Sequence, residues 1–471
     1  MTTWLVTGVK RGTNMAQKVT EKKKLSLVMP SRKYRRKPDA KLVTPELPKQ
    51  YRRKNPNKWC VDYLTKTDTY KFGMAQLVFH KRRNERSYWE FKLRSTGVDL
   101  TPFYDEINRE LDHLCTLRFT EWELEGIRRV MPWLSDDFIE MLADFRLKRE
   151  YIHVKKDPKY NGGLHIWAGT ADHQCIPALQ ATWLEIYVLK IIQNLYFDDL
   201  EIDWDASKTA LREAVAKWNA ALRRGVKFTI SDFGVRRSID DDWNEYMVKY
   251  MLDCCPAFVG TSNVYLAIKC GCKAIGTFAH ELYALYQGID TIPLHLSQAA
   301  VLNDWADEFR GNLGIALSDN FGFNAFLRDF DRYLAKLYDG CRHDSGDPFV
   351  WGHMLIDHYR KNNILSTTKC GCWSDSLDVD HSIAIATEFY KDINVAFGIG
   401  GFLACKLVRF KGDKKRDALR MIMKLIMSNG KYAVKLSDSP GKVNCPDPRV
   451  VERAKEAFRY EPIPENKDAL D

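Results

Sequence analysis

The run Arg342-His343-Asp344-Ser345-Gly346-Asp347-Pro348-Phe349 sets a fixed cation, two carboxylates and a hydroxyl around a glycine, with a proline closing it. A guanidinium holds phosphate oxygens in a bidentate fork, and carboxylates bind ribose hydroxyls or a phosphate-bound Mg²⁺. The run therefore suits a sugar phosphate, although surface turns collect the same residue types. Four other segments carry compatible chemistry. Ser231-Asp232-Phe233-Gly234-Val235-Arg236-Arg237 offers two rigid forks for pyrophosphate oxygens and, in Phe233, a flat face for an aromatic base. Gly260-Thr261-Ser262-Asn263 supplies hydroxyls and backbone amides suited to a small anion. Gly276-Thr277-Phe278-Ala279-His280-Glu281 presents a titratable nucleophile at a helix start, where unsatisfied amides favour phosphate. Glu281, being adjacent, faces elsewhere on that helix and is a poor orienter for His280. Phe397-Gly398-Ile399-Gly400-Gly401 lets backbone amides approach a phosphate closely, without the Gly-Lys-Ser/Thr of a P-loop. Each segment taken singly has a plainer reading as a turn, a solvated helix start or a structural histidine.

The elements that must position these segments follow from hydrophobic spacing. Residues 59–80 and 88–94 read as a short helix followed by a strand. Residues 119–149 repeat at helical spacing, with Trp122, Leu124, Ile127, Val130 and Met131 on one side. An apolar helix over 183–197 and an amphipathic one over 207–223 come next. From residue 226 short apolar strands (227–232, 274–276, 314–318, 394–398) end in polar or glycine-rich signals and lead into helices, the signature of a parallel α/β domain. In such barrels catalytic residues lie at the carboxyl ends of the strands, which is where the polar segments fall. Residues 417–427 look like a basic helix, followed by a turn at Asn429-Gly430.

The chain has 471 residues, 45% hydrophobic and 28% charged, as in soluble globular proteins, and no apolar run approaches the roughly 18 residues of a membrane span. No basic leader with an apolar core and cleavage site opens it, so a cytoplasmic protein is expected. The net charge of +10 is uneven: residues 1–58 carry 17 Lys and Arg against three acids, a surplus of 14, leaving the remainder at −4. That proline-punctuated segment is expected to be a disordered basic arm, and nucleic acid would be contacted only through it. The expected organisation is an arm at 1–58, an N-terminal domain at 59–200, a barrel at 201–410 and a C-terminal segment at 411–471. Of the twelve cysteines, Cys270, Cys272, Cys370 and Cys372 form two Cys-Gly-Cys pairs that could hold zinc, but buried strand positions account for them better.

In order, the five segments resemble the nicotinate phosphoribosyltransferase family, and the resemblance runs from about Leu64 to Tyr460. Thr67-Asp68-Thr69-Tyr70-Lys71, Ser374-Asp375-Ser376-Leu377-Asp378 and Lys435-Leu436-Ser437-Asp438-Ser439-Pro440-Gly441-Lys442 extend it. The resemblance implies an irregular TIM-like α/β barrel plus an N-terminal α/β domain completed by the C-terminal segment. It implies a homodimer with shared active sites, using ATP and Mg²⁺ to join nicotinate to phosphoribosyl pyrophosphate (PRPP) in NAD biosynthesis. His280 would be phosphorylated by ATP. Phe233 and Tyr70 of the partner subunit would sandwich the pyridine ring, and Arg236 and Arg342 would hold phosphates or the nicotinate carboxylate. Asp344 would bind ribose, Thr277 would line the pocket near His280, and Gly398, Gly400 and Gly401 would cradle the 5-phosphate. No set of protein metal ligands is implied. Two departures stand out: Gly401 replaces the family's usual threonine, and Tyr187 replaces a common proline. Related nicotinamide enzymes are glycine-rich at the first place but carry aspartate where this chain has Ser262, and an aspartate would repel nicotinate. The alternatives are thus a nicotinamide phosphoribosyltransferase, or a non-catalytic pyridine-nucleotide sensor tethered by the arm.

Overall fold

The computed structural model describes residue 51, residues 53–413 and residues 415–464. The expectation of a disordered arm falls, for residues 1–50, outside this range. Its last residues are seated on the body: the Tyr51 hydroxyl donates to Asp198 at 2.5 Å, Arg53 pairs with buried Glu110, and Lys58 meets Asp242 at 3.2 Å.

Four strands come first: β1 (Arg86–Leu93), β2 (Ile152–Lys156), β3 (Leu164–Ala168) and β4 (Ile176–Pro177). Seven more follow: β5 (Thr229–Asp232), β6 (Phe258–Thr261), β7 (Lys273–Ala274), β8 (Ile315–Leu317), β9 (Gly340–His343), β10 (Cys370–Trp373) and β11 (Asn394–Ile399). These seven are all parallel, in the order β7-β6-β5-β11-β10-β9-β8. That is chain order bent into a circle, with the first strand beside the last and the ring open only between β7 and β8. The result is a curled half-barrel, since parallel strands joined by helices twist progressively in one sense. Two side chains tie across the opening: the Thr277 hydroxyl donates to the Ile315 carbonyl and the Tyr283 hydroxyl to that of Leu317, both at 2.8 Å.

The chain then returns to the first sheet through β12 (Met421–Ser428) and β13 (Lys431–Tyr432). The sheet order is β13-β12-β1-β3-β2, with β4 also on β1. The helix-like reading of residues 417–427 is therefore wrong, and the reason is a period of two. Met421, Met423 and Leu425 are buried and face Leu93, Phe91 and Trp89 of β1. Asn429 and Gly430, both with positive φ, make the tight turn into β13.

The apolar helix covers Leu184–Phe197 and the amphipathic one Trp204–Arg223. Residues 119–149 hold two helices, Glu121–Val130 and Asp136–Asp144, because Pro132 disfavours helix at Met131. Trp122 is 42% exposed and does not join the buried side. Cys370 and Cys372 lie on β10 as expected, whereas Cys270 ends the helix Val264–Cys270 and Gly271, at φ 66°, turns the chain towards Cys272. All twelve thiols are free, and among the described residues the His/Cys/Asp/Glu group close enough to share a metal ion contains no cysteine. One hydrophobic cluster runs from Phe91 and Met423 of the first sheet through to Ile230 and Ala316 of the half-barrel. Among the described residues no helix is long and apolar enough to cross a membrane.

Candidate active site at the mouth of the half-barrel

β5 ends in Asp232, whose carboxylate accepts from the Thr261 hydroxyl at 2.7 Å and the Gly234 amide at 2.9 Å. That pins the turn carrying Phe233. The Phe233 ring lies so close to β11 that a Cβ on Gly398 would sit 2.2 Å from it, and one on Gly400 would sit 2.8 Å from the Phe233 carbonyl. These glycines therefore serve as the bed of an aromatic platform. Gly401 differs, because a Cβ there would meet nothing nearer than Arg237 at 4.0 Å.

The short 3₁₀ turn Val235–Arg237 follows and points Arg236 at Glu185, 3.8 Å away, on the Leu184–Phe197 helix. Glu185 also accepts from Lys71 at 2.8 Å, and Lys71 bonds Glu281, so this fully buried ammonium ties three elements together. Burial opposes the charge on Glu185, but Lys71, then Lys424 and Arg236, hold its carboxyl down at about 2. Glu281 thus points away from His280, as the sequence suggests.

Tyr70 enters from its own chain. The helix Thr69–Lys81 docks its start on the strand-end β6 loop, where the Thr69 amide donates to the Ser262 carbonyl at 2.8 Å and the Ser262 hydroxyl donates to Asp68. Tyr70 there lies in the electrostatic field of Glu185, Asp68 and Arg236. Within this chain, the docked helix start brings its own Tyr70 to these strand-end loops. Burial raises the Asp68 carboxyl to about 7, against the Ser262 hydrogen bond.

His280 opens the helix His280–Tyr286 and is 7% exposed. Its Nε2 lies 2.7 Å from Asp319 Oδ1, just beyond β8. Asp319 accepts further from Ser345 at 2.6 Å and forms an ion pair with the Lys435 ammonium at 2.9 Å. Burial and then Lys435 lower the His280 imidazole to about 4, so it is neutral at pH 7. A carboxylate facing Nε2 fixes the proton on that nitrogen and leaves the Nδ1 lone pair free. Asp344 lies 3.8 Å from both His280 and Lys435 and 3.7 Å from Arg342; despite burial, Arg342 holds its carboxyl at about 2. Ser374 donates to Asp344 at 3.2 Å.

The second carboxylate of the opening run does something else. Asp347 caps the helix Pro348–Lys361 by accepting from the amides of Phe349 and Val350, and Pro348 occupies its first turn. The C-terminal signature divides likewise. Lys435 reaches Asp319, and Lys442 reaches Asp375 at 2.8 Å, whereas Asp438 accepts from the Phe323 and Ile463 amides and holds the segment down. Thr277 lies near His280, but its hydroxyl is committed to Ile315.

Every site residue expected from the sequence is thus at a strand end of the half-barrel or, for Tyr70, on the helix docked against it. Asp319, Glu185 and Lys71, with Lys435 as the partner of Asp319, are additions from the structure. The polar end of the strand over 314–318 was the available signal for Asp319.

The profile of the nicotinate phosphoribosyltransferase family matches residues 228–462, and that of its N-terminal domain matches residues 65–193. A nicotinate phosphoribosyltransferase of Neisseria gonorrhoeae is 41% identical over 388 residues, spanning 80% of this chain and 92% of that one. One from Ralstonia pickettii is 38% identical over 84% and 98% of the two chains. Among solved structures, the nicotinate phosphoribosyltransferase of Vibrio cholerae superimposes with a TM-score of 0.79 at 29% identity, over 86% of this chain and 95% of that one. That of Porphyromonas gingivalis gives 0.76 at 27%, over 85% and 100%. With profile, relatives and fold in agreement over the same span as the pocket, the chain belongs to the nicotinate phosphoribosyltransferase family.

Proposed function

We propose that this chain transfers 5-phosphoribosyl from PRPP to nicotinate, giving nicotinate mononucleotide for NAD synthesis, and that ATP drives the transfer through a phosphohistidine at His280. The observation that carries the ATP coupling is the Asp319–His280 pair: a buried, neutral imidazole with Nε2 held at 2.7 Å and Nδ1 free. In the first step the Nδ1 lone pair bonds the γ-phosphorus of ATP, the bond to the ADP oxygen breaks, and ADP leaves with that electron pair. Asp319 keeps the Nε2 proton and balances the charge that develops on the ring.

Departure of pyrophosphate from ribose C1 gives oxocarbenium character, so rate depends on stabilising the leaving group and holding the base in line. Phe233 and Tyr70 suit a flat pyridine ring, Arg236 and Arg342 suit the anionic groups, and the bed of Gly398, Gly400 and Gly401 suits the 5-phosphate. The ring nitrogen brings its own lone pair, so no general base is required. Mg²⁺ fits here through Asp344, whose carboxylate is less saturated than that of Asp319, together with substrate phosphates. When bound, it would neutralise charge on the diphosphate. Ser262 favours nicotinate over nicotinamide, because an aspartate at that place would set a second carboxylate against Asp68 and the substrate. A homodimer with shared active sites, in which Tyr70 of the partner subunit faces Phe233, belongs to the same proposal.

The test is product formation from nicotinate or nicotinamide with PRPP and Mg²⁺, with and without ATP. ATP-stimulated turnover of nicotinate is expected. Turnover indifferent to ATP, or undiminished acid-labile phosphate on a His280→Ala variant, would remove the phosphohistidine; no product from either base would favour the sensor.

A further inference from the structure

Glu185 stands between two cations. Its Oε2 meets the Lys71 ammonium at 2.8 Å, whereas its Oε1 lies 3.8 Å from Arg236 Nη1, beyond hydrogen-bond range. Among the described residues no other cation comes within 4.0 Å of this carboxylate. Lys71 is fully buried and also bonds Glu281, whose other oxygen accepts from the Thr182 hydroxyl at 2.6 Å. The three ions are fixed on three elements: the helix that carries Tyr70, the helix that carries Glu185 and the helix opened by His280. The Arg236 side chain is 35% exposed and sits in the turn that directly follows Phe233. We propose that Lys71 is a positioning residue that draws Glu185 off Arg236, leaving the guanidinium to receive the carboxylate of an anionic base lying on Phe233.

The argument turns on which cation holds Glu185. A guanidinium and a carboxylate in contact close into a bidentate fork, and a guanidinium so closed has little left to offer a second carboxylate. Here the fork is open, because the ammonium is a compact point charge held nearer to Glu185 in surroundings where a short ion pair is strong. Without Lys71, Glu185 would be a buried carboxylate with Arg236 as the one cation in reach. A buried charge without a partner is costly, so Glu185 would close on the guanidinium and take the place of the substrate anion. A neutral base makes no demand on that charge, and Lys71 therefore bears on the choice between nicotinate and nicotinamide.

This inference rests on nicotinate being the base, and the measurements separate the two. Nicotinate and nicotinamide are titrated calorimetrically into the full chain and into Lys71→Met, Glu185→Gln and the double variant. In parallel, phenylglyoxal is applied without any base, and its adduct on Arg236 is followed by mass spectrometry of the peptide. Lys71→Met should weaken nicotinate binding about 10- to 100-fold, leave nicotinamide binding unchanged and slow the modification of Arg236. The double variant has no carboxylate to close the fork, so nicotinate binding and Arg236 modification should both return towards the unaltered level, a recovery that lost packing would not produce. Glu185→Gln alone should bind nicotinate at least as tightly as the unaltered chain, which keeps the test open should the Lys71 variants fail to fold. Equal weakening of both bases in Lys71→Met, no recovery in the double variant, or weaker nicotinate binding in Glu185→Gln would overturn the role given to Lys71. An unaltered chain that does not bind nicotinate would count against the choice of base alone, because the modification of Arg236 still compares the variants.

Discussion

Replacing Asp319 by Asn is the sharpest test of how the histidine is set. Asp319 is 1% exposed; its Oδ1 faces His280 Nε2 at 2.7 Å, and its Oδ2 accepts from Ser345 at 2.6 Å and forms an ion pair with Lys435 at 2.9 Å. Asn keeps one acceptor. The Lys435 charge draws the amide oxygen to its side, which turns the amide NH₂ towards His280. Imidazole must then accept at Nε2 and carry its proton on Nδ1, so the nitrogen that should attack ATP loses its lone pair. Wrong-tautomer substitutions of this kind in buried carboxylate–histidine pairs cost about 10⁴-fold in rate, roughly 5 kcal/mol of barrier. Loss of the carboxylate also strands Lys435, and breaking one side of a buried pair costs roughly 3–5 kcal/mol of stability. The assay follows acid-labile phosphate from γ-labelled ATP alongside ATP-independent mononucleotide formation, with a urea melt to count folded protein. Labelling should collapse while the ATP-independent reaction, which does not use the Nδ1 lone pair, falls far less. Labelling at the original rate in folded Asp319→Asn, or an equal fall in both reactions, would refute the tautomer argument.

Three further outcomes follow from the same geometry. Because burial and Lys435 hold the His280 imidazole at about 4, phosphoryl acceptance should stay level from pH 7 to about 5; the folded value lies below the unfolded one of roughly 6.5, so stability present above 6.5 should fall as pH drops towards 4, by roughly 3 kcal/mol in total, read from urea melts at pH 7 and 4.5. Gly398→Ala should displace the Phe233 ring and raise KM for nicotinate, whereas Gly401→Thr should leave the melting temperature nearly unchanged and lower KM for PRPP, since its Cβ meets only Arg237 at 4.0 Å. Ser262→Asp sets a buried carboxylate against Asp68, so activity on nicotinate should drop more than activity on nicotinamide; equal losses in parallel kinetics would show that Ser262 does not select the base.

The strand-end segments were legible because a parallel half-barrel collects its polar loops on one side, so residue type and the strand before it locate a side chain without further information. Phe233, Arg236, Ser262, His280, Arg342, Asp344 and the glycines all fall into that class. Asp319 did not, because its meaning is set by partners far along the chain: His280 stands 39 residues away and Lys435 more than a hundred. Ser318-Asp319-Asn320 by itself is simply a polar turn. β12 failed for a related reason. Its alternating core residues are flanked by basic ones that suit a helix equally, and only β1, more than three hundred residues earlier, chooses between the two periods. The opening run marks the boundary between the two cases. Its two carboxylates look equivalent, yet Asp347 stands immediately before a proline and an apolar helix, the local pattern of an N-cap with proline in the first turn, and the structure uses it so. Asp344 has no local duty of that kind. A carboxylate with a nearby backbone amide to satisfy is already employed, and one left without such a partner at a strand end is the one available to substrate.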